Sequence, residues 1–200
     1  MNDLFAGNSN SFIQLDVPDA NFFYYSNFLT EDESSDLFSF LRTNVDWQQQ
    51  YAKFPTHNTP LPRLTQWYGD LPYFYSGILN PPKEMPEEIF RLKQKIEDAC
   101  HINLNSVLLN FYRNGNDSVS FHRDNEKGMG ENPTVASVSL GAERLFRIKH
   151  LVSSKTSDLF LENGSLLVMG NQSQIKYAHT LPKTKENVGE RINLTFRKMI

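Results

Sequence analysis

From Asn103 to its end the chain consists of short apolar runs, each too brief for a helix and each closed off by a turn signal. SVLLNFY, TVASVSL, RLFRIKH, GSLLVMG and RINLTFR are rich in β-branched or aromatic residues. Asn114-Gly115, Gly128 to Gly130, Gly141, Asn163-Gly164 and Gly170-Asn171 punctuate them. Two helical patterns come first. Thr30 and Glu33 form a T-x-x-E capping box ahead of Leu37, Phe38, Leu41 and Val45, which predicts a helix over 31–44. Pro86 suits the first residue of a second helix, with Ile89, Leu92 and Ile96 as its buried stripe and an end near Cys100. Many strands after two helices predict a mostly-β, α+β chain: a β-sandwich or jelly roll with helices packed on one side. Residues 46–85, with prolines, Trp47, Trp67 and several tyrosines, read as ordered loops and hairpins without a long regular element.

Length and composition narrow the class further. Two hundred residues suit one domain, 1–200, with about ten frayed residues at the start. No apolar run approaches 18 residues, so no transmembrane helix is expected. The opening MNDLFAGNSNS lacks the basic and apolar regions of a secretory signal. Cys100 is the only cysteine, which excludes an intramolecular disulfide and favours a reducing interior. A bacterial cytoplasm, or the nucleus if the chain is eukaryotic, a monomer and no membrane partner are the simplest expectations. A formal net charge of −3 argues against bulk electrostatic capture of nucleic acid and leaves room for a local basic patch.

Side-chain chemistry concentrates in a few places. If FHRDNE is extended, His122 and Asp124 share a face. They could be two ligands of one metal ion, or a hydrogen-bonded surface pair. His179 is a third candidate, and two histidines with one carboxylate form the facial triad of non-haem Fe(II) oxygenases. The last strand alternates strictly: Arg191, Asn193, Thr195 and Arg197 on one face, Ile192, Leu194 and Phe196 on the other. That polar face is either solvated or, beside a metal, able to grip a dicarboxylate through a guanidinium. Asn110 and Tyr112 share a face of an earlier strand and could hydrogen-bond the same molecule, or cap a barrel mouth.

NFYRNG, FHRDNE, SVSLGAERLF, GSLLVMG, His179-x-Leu-Pro and Arg191-x-Asn-Leu-Thr-Phe-Arg follow one another in the order seen in the AlkB family of Fe(II)- and 2-oxoglutarate-dependent dioxygenases. The chain resembles that family over about residues 60–200, closest to its DNA dealkylation repair paralogues. Upstream, Pro62-Arg63, Tyr68-Gly69-Asp70 and Tyr73-Phe74-Tyr75-Ser76-Gly77 are similar to its nucleotide-recognition region.

The resemblance implies a double-stranded β-helix core over 103–200, with recognition loops and hairpins over 46–85. It implies Fe(II) held by His122, Asp124 and His179, and 2-oxoglutarate as co-substrate among Asn110, Tyr112, Arg191, Asn193 and Arg197. Arg191 is favoured for the remote carboxylate. Arg197 lies about 20 Å further along an ideal strand, so both arginines reach one small molecule only if the strand bends or the side chains turn inward. A flipped base would stack between Tyr75, with Tyr73, and His122, while Glu126 accepts from its exocyclic amino group and Arg63 contributes to the substrate side. Arg144, with Arg147, Lys149 and His150, could position phosphates, and Phe54 could wedge into a duplex. The implied activity is oxidative demethylation of 1-methyladenine and 3-methylcytosine in alkylated DNA, single- or double-stranded, with release of formaldehyde. The alternatives are an oxygenase acting on RNA or protein, and a metal-binding jelly roll without catalysis.

Overall fold

The computed structural model describes residues 13–53, 56–75 and 77–200. Phe54 and the opening ten residues therefore lie outside the described residues, as does the side chain of Tyr75. The chain begins with β1 (Ile13–Gln14), β2 (Asn21–Tyr25) and helix α1 (Glu31–Asn44). Thr30 caps α1 as expected: its side chain accepts from the Glu33 amide, and Glu33 accepts from the Thr30 amide. Two hairpins, β3 (Tyr51–Lys53) with β4 (Asn58–Pro60) and β6 (Tyr73–Tyr75) with β7 (Ile78–Asn80), flank β5 (Leu64–Gly69). Helix α2 (Glu87–Cys100) follows, with Pro86 one residue outside it, at the cap position.

The remaining strands are β8 (Ser106–Tyr112), β9 (Val119–His122), β10 (Val135–Gly141), β11 (Arg144–His150), β12 (Thr156–Leu161), β13 (Ser165–Gly170), β14 (Tyr177–Leu181) and β15 (Arg191–Arg197). A single helical turn, α3 (Ser173–Lys176), leads into β14. Seven strands form one antiparallel sheet in the order β1-β2-β13-β10-β15-β8-β5, and four form a second in the order β12-β11-β14-β9. The segment expected to hold no long regular element thus contributes β5, six residues that extend the large sheet by pairing with β8. Its burial alternates over Leu64 to Trp67 and then stays inside through Gly69.

Alternation along the central strands sorts residues between two layers. On one side, Val107, Leu109, Val138, Leu140, Ile192, Leu194 and Phe196 pack with Leu41, Ile89 and Ile96 of α1 and α2. On the other, Val135, Leu167 and Met169 meet Phe146, Ile148 and Leu161 of the small sheet. This is the predicted jelly roll with helices on one side. Among the described residues no helix is long and apolar enough to cross a membrane.

One turn shows how tightly the layers close. Gly141 has φ +82°, and a Cβ built there would stand 2.5 Å from the Glu190 carbonyl oxygen and 2.8 Å from the Phe38 ring. Gly141→Ala is expected to cost ~1–3 kcal/mol from backbone strain alone, read as a lower urea midpoint. An unchanged midpoint would contradict this packing.

Candidate metal centre and its pocket

His122, Asp124 and His179 each bring one ligand atom into a group whose members lie within 4.8 Å of one another. The two histidines are placed by strand pairing: His122 of β9 is the register partner of His179 of β14, and their ring centroids are 4.3 Å apart. Asp124 arrives differently from the sequence expectation. Strand β9 ends at His122, so alternation does not carry Asp124 onto the same face. The irregular turn after β9 swings it inward instead, to 3.6 Å (Oδ2) from His179 Nε2 and 4.0 Å (Oδ1) from His122 Nε2. His122 Nδ1 is 2.9 Å from the Ser120 carbonyl oxygen. A carbonyl only accepts, so Nδ1 donates and Nε2 presents its lone pair to the group.

Electrostatics keep this group in ligand form. Burial opposes ionisation of Asp124, but Arg197, His179, His122 and Arg63 outweigh it and hold the carboxyl below its usual range. Burial, with the neighbouring His122, pushes the His179 imidazole down to about 3, so it is neutral near pH 7. The Phe146 ring stacks on it, with centroids 5.2 Å apart.

Beyond the three ligands lies a cavity between the sheets. Leu108, Val119, Phe146, Leu161, Met169 and Leu181 form its apolar wall, and Asn110, Tyr112, Arg191, Asn193 and Arg197 all line it. Both arginines turn inward, so the length of β15 does not part them from one pocket. Their surroundings differ. Arg197 is 2% exposed and donates from Nη2 to Asp124 Oδ1 at 2.8 Å, while its Nε and Nη1 are buried without a partner. Burial alone would lower its pKa, and the Asp124 carboxylate raises it well above the ordinary value. Arg191, also 2% exposed, donates to Ser139 Oγ at 2.9 Å and lies over the Tyr112 ring, but has no carboxylate partner among the described residues. Burial lowers it to about 10, so it remains a cation near pH 7. Its Nε is buried and unpaired.

Asn193 and Asn110 are more committed than the sequence suggests. Asn193 Nδ2 donates to Ser137 Oγ and the Val138 carbonyl, and its Oδ1 accepts from Thr195. It shapes the wall with its side chain already satisfied. Asn110 Oδ1 accepts from Arg63 Nε at 2.7 Å. Arg63 is buried behind Asn110 and lines the same pocket.

The expected substrate residues divide. Tyr73 is 1% exposed, stacked on Trp67 with centroids 4.4 Å apart and under the Arg197 guanidinium. It packs in the core and also lines the pocket, and its hydroxyl donates to Glu126 Oε1 at 2.9 Å. Glu126 Oε2 is buried with no partner. Arg144 corrects the idea of a phosphate contact: at 3% exposure it donates to the carbonyls of Asn114, Asp117 and Pro182, tying loops together from within. Arg147 forms a two-point ion pair with Asp158, and His150 contacts Ser153. Trp67 and Gln174 were not singled out by sequence. The run PRLTQWYG held the signal for the first, and nothing local marks the second.

The donor set fits ferrous iron: two imidazole nitrogens and one carboxylate oxygen on a single face. The unpaired Arg191 cation and the open nitrogens of Arg197 fit a small dicarboxylate.

Comparison with known proteins agrees. Residues 21–197 match the family model of the 2OG-Fe(II) oxygenase superfamily, and the chain belongs to that superfamily, whose cofactor is Fe(II) and whose co-substrate is 2-oxoglutarate. It is 34% identical over 183 residues to mouse alpha-ketoglutarate-dependent dioxygenase alkB homolog 3, covering 86% of this chain and 64% of that protein. It is 32% identical over 185 residues to human DNA oxidative demethylase ALKBH2, covering 84% and 69%. Within the superfamily its place is the AlkB family. The solved structure of OsALKBH1 shares the fold, with a TM-score of 0.67 at 20% identity over 92% of this chain and 100% of that one. The chain spans a little under two thirds of the length of the alkB homolog 3 proteins it matches.

Proposed function

We propose that this chain is an Fe(II)- and 2-oxoglutarate-dependent dioxygenase that removes N-methyl groups from bases in DNA. The observation that carries the reading is the pocket itself: a His–Asp–His face at one end and an unpaired, buried Arg191 cation further in. His122, Asp124 and His179 would hold the iron. When bound, ferrous iron with 2-oxoglutarate and dioxygen supplies a two-electron oxidation of a C–H bond, with succinate and carbon dioxide as co-products.

The chain's own residues set what is oxidised. Arg191, with Tyr112 beside it, binds the distal carboxylate of the co-substrate, and the open nitrogens of Arg197 serve the end near Asp124. Glu126, held by Tyr73, presents an unpaired carboxylate oxygen that can accept from an exocyclic amino group. A negative group there favours positively charged lesions such as 1-methyladenine and 3-methylcytosine. The target base must leave the stack to reach this depth. The motif reading assigns Tyr75 as its stacking platform. Hydroxylation of the methyl carbon gives an N-hydroxymethyl base, which releases formaldehyde and restores the base. Names of relatives that act on DNA support this choice of substrate.

The test is a panel of methylated DNA, methylated RNA and methylated peptide, assayed for formaldehyde and succinate with iron and 2-oxoglutarate present. Formaldehyde from the DNA is expected, and release from peptide alone would overturn the reading. Glu126→Ala is expected to lower turnover of 3-methylcytosine at least tenfold while 2-oxoglutarate binding stays unchanged, a loss of about 1.4 kcal/mol in transition-state stabilisation. Equal turnover in the variant would remove Glu126 from base recognition.

A further inference from the structure

Asp124 lies two residues past the end of β9, so its backbone amide has no ladder partner. At 2% exposure an unpaired amide there would be costly. It donates instead to the side-chain oxygen of Gln174, Oε1, at 2.9 Å, from a residue 50 positions further along the chain. Gln174 is 1% exposed. Its Nε2 lies 3.5 Å from Ser173 Oγ in the same turn and 3.6 Å from Met169 Sδ of β13, which directs the oxygen toward Asp124.

The turn that carries Gln174 is held under strain. Asn171 and Gln172 are consecutive non-glycine residues with φ of 25° and 66°. The Gln172 amide is anchored on Asn132 Oδ1 at 2.9 Å. Five residues after Gln174 the same segment delivers His179. Gln174 therefore ties the stretch bearing the third ligand to the stretch bearing the second. It does so where the β9–β14 ladder is irregular between His179 and Leu181.

We propose that Gln174 is a positioning residue of the metal centre: by holding the Asp124 amide it sets the affinity of the three-ligand face for a divalent cation. The proposal rests on the reading of His122, Asp124 and His179 as metal ligands. Partners behind the ligands of metal sites typically contribute 10- to 100-fold in affinity, and that is the size of effect expected here.

The experiment is a Co(II) titration of the metal-free full chain, followed by calorimetry and visible absorption, with urea unfolding of each variant in parallel. Gln174→Met keeps the bulk and removes the acceptor, and is expected to weaken Co(II) binding roughly 10- to 100-fold and to alter the cobalt band. Gln174→Glu keeps an acceptor oxygen and is expected to bind within about threefold of the unsubstituted chain. If Gln174→Met does not fold, Gln174→Asn replaces it, withdrawing the oxygen by one C–C bond, about 1.5 Å, with the same weakening expected. A merely structural residue would lower the urea midpoint of the metal-free chain and leave the affinity of the folded chain alone. Unchanged affinity in folded Gln174→Met or Gln174→Asn overturns the proposal, as does an equal loss in Gln174→Met and Gln174→Glu. Failure of the unsubstituted chain to bind Co(II) would bring down the metal reading, and this proposal with it.

Discussion

Asp124→Ala is expected to abolish turnover and to weaken divalent-metal binding by more than ~100-fold, beyond what loss of a supporting partner causes. Two effects combine. The substitution removes the only carboxylate of the three-ligand group. It also leaves the Arg197 guanidinium, 2% exposed, without its counter-charge. Stranding one member of a buried ion pair costs about 3–5 kcal/mol, so the variant is also expected to unfold at lower urea. Asp124→Asn separates the two effects, because its carbonyl oxygen still accepts from Arg197 while its charge is gone. It is expected to be the more stable of the pair and still to bind Co(II) poorly. A folded Asp124→Asn with unsubstituted Co(II) affinity would falsify the assignment of Asp124 as a ligand.

Arg191→Met is expected to raise the 2-oxoglutarate concentration needed for half-saturation by roughly 100-fold, the equivalent of about 3 kcal/mol. The argument turns on what Arg191 lacks. It is a buried cation that meets the Ser139 hydroxyl and the Tyr112 ring, with no carboxylate among the described residues. Such a charge is expensive to bury alone, and a ligand carboxylate relieves the cost. The same reasoning predicts that the variant without ligand is at least as stable as the unsubstituted chain. Thermal unfolding with and without 2-oxoglutarate reads both effects: a large ligand-induced rise in Tm for the unsubstituted chain, little or none for Arg191→Met. Superimposable co-substrate titrations would take Arg191 out of the pocket.

Much of this architecture is legible in the residues because two strong periods write it. The capping box at Thr30 and the stripes of α1 and α2 follow the helical period, and RINLTFR follows the strand period so strictly that its polar and apolar faces separate by inspection. What stayed hidden was long-range. The convergence of Asp124 depends on a loop, on Arg197 and on Gln174, none of which a local pattern can place. Arg144 looks like part of a basic surface run, yet it shares the inward face of β11 with Phe146 and Ile148, and only the alternation of that strand betrays it. Tyr73 reads as a stacking platform until its neighbours across the fold, Trp67 and Glu126, are known.

Strand β15 lies inside the large sheet, bonded to β10 on one edge and β8 on the other. Its odd-numbered side chains furnish the reactant chamber, and its even-numbered ones, Ile192, Leu194 and Phe196, are wholly enclosed beneath the helices. Deleting one residue here would invert every side chain beyond the cut, driving hydrocarbon into the chamber and guanidinium into oil. This stretch is thus frozen by folding as firmly as by chemistry. Chains of this build that differ in what they accept must differ elsewhere, and the β3–β4 ribbon, whose strands pair with each other and with no strand of the large sheet, escapes that constraint of register.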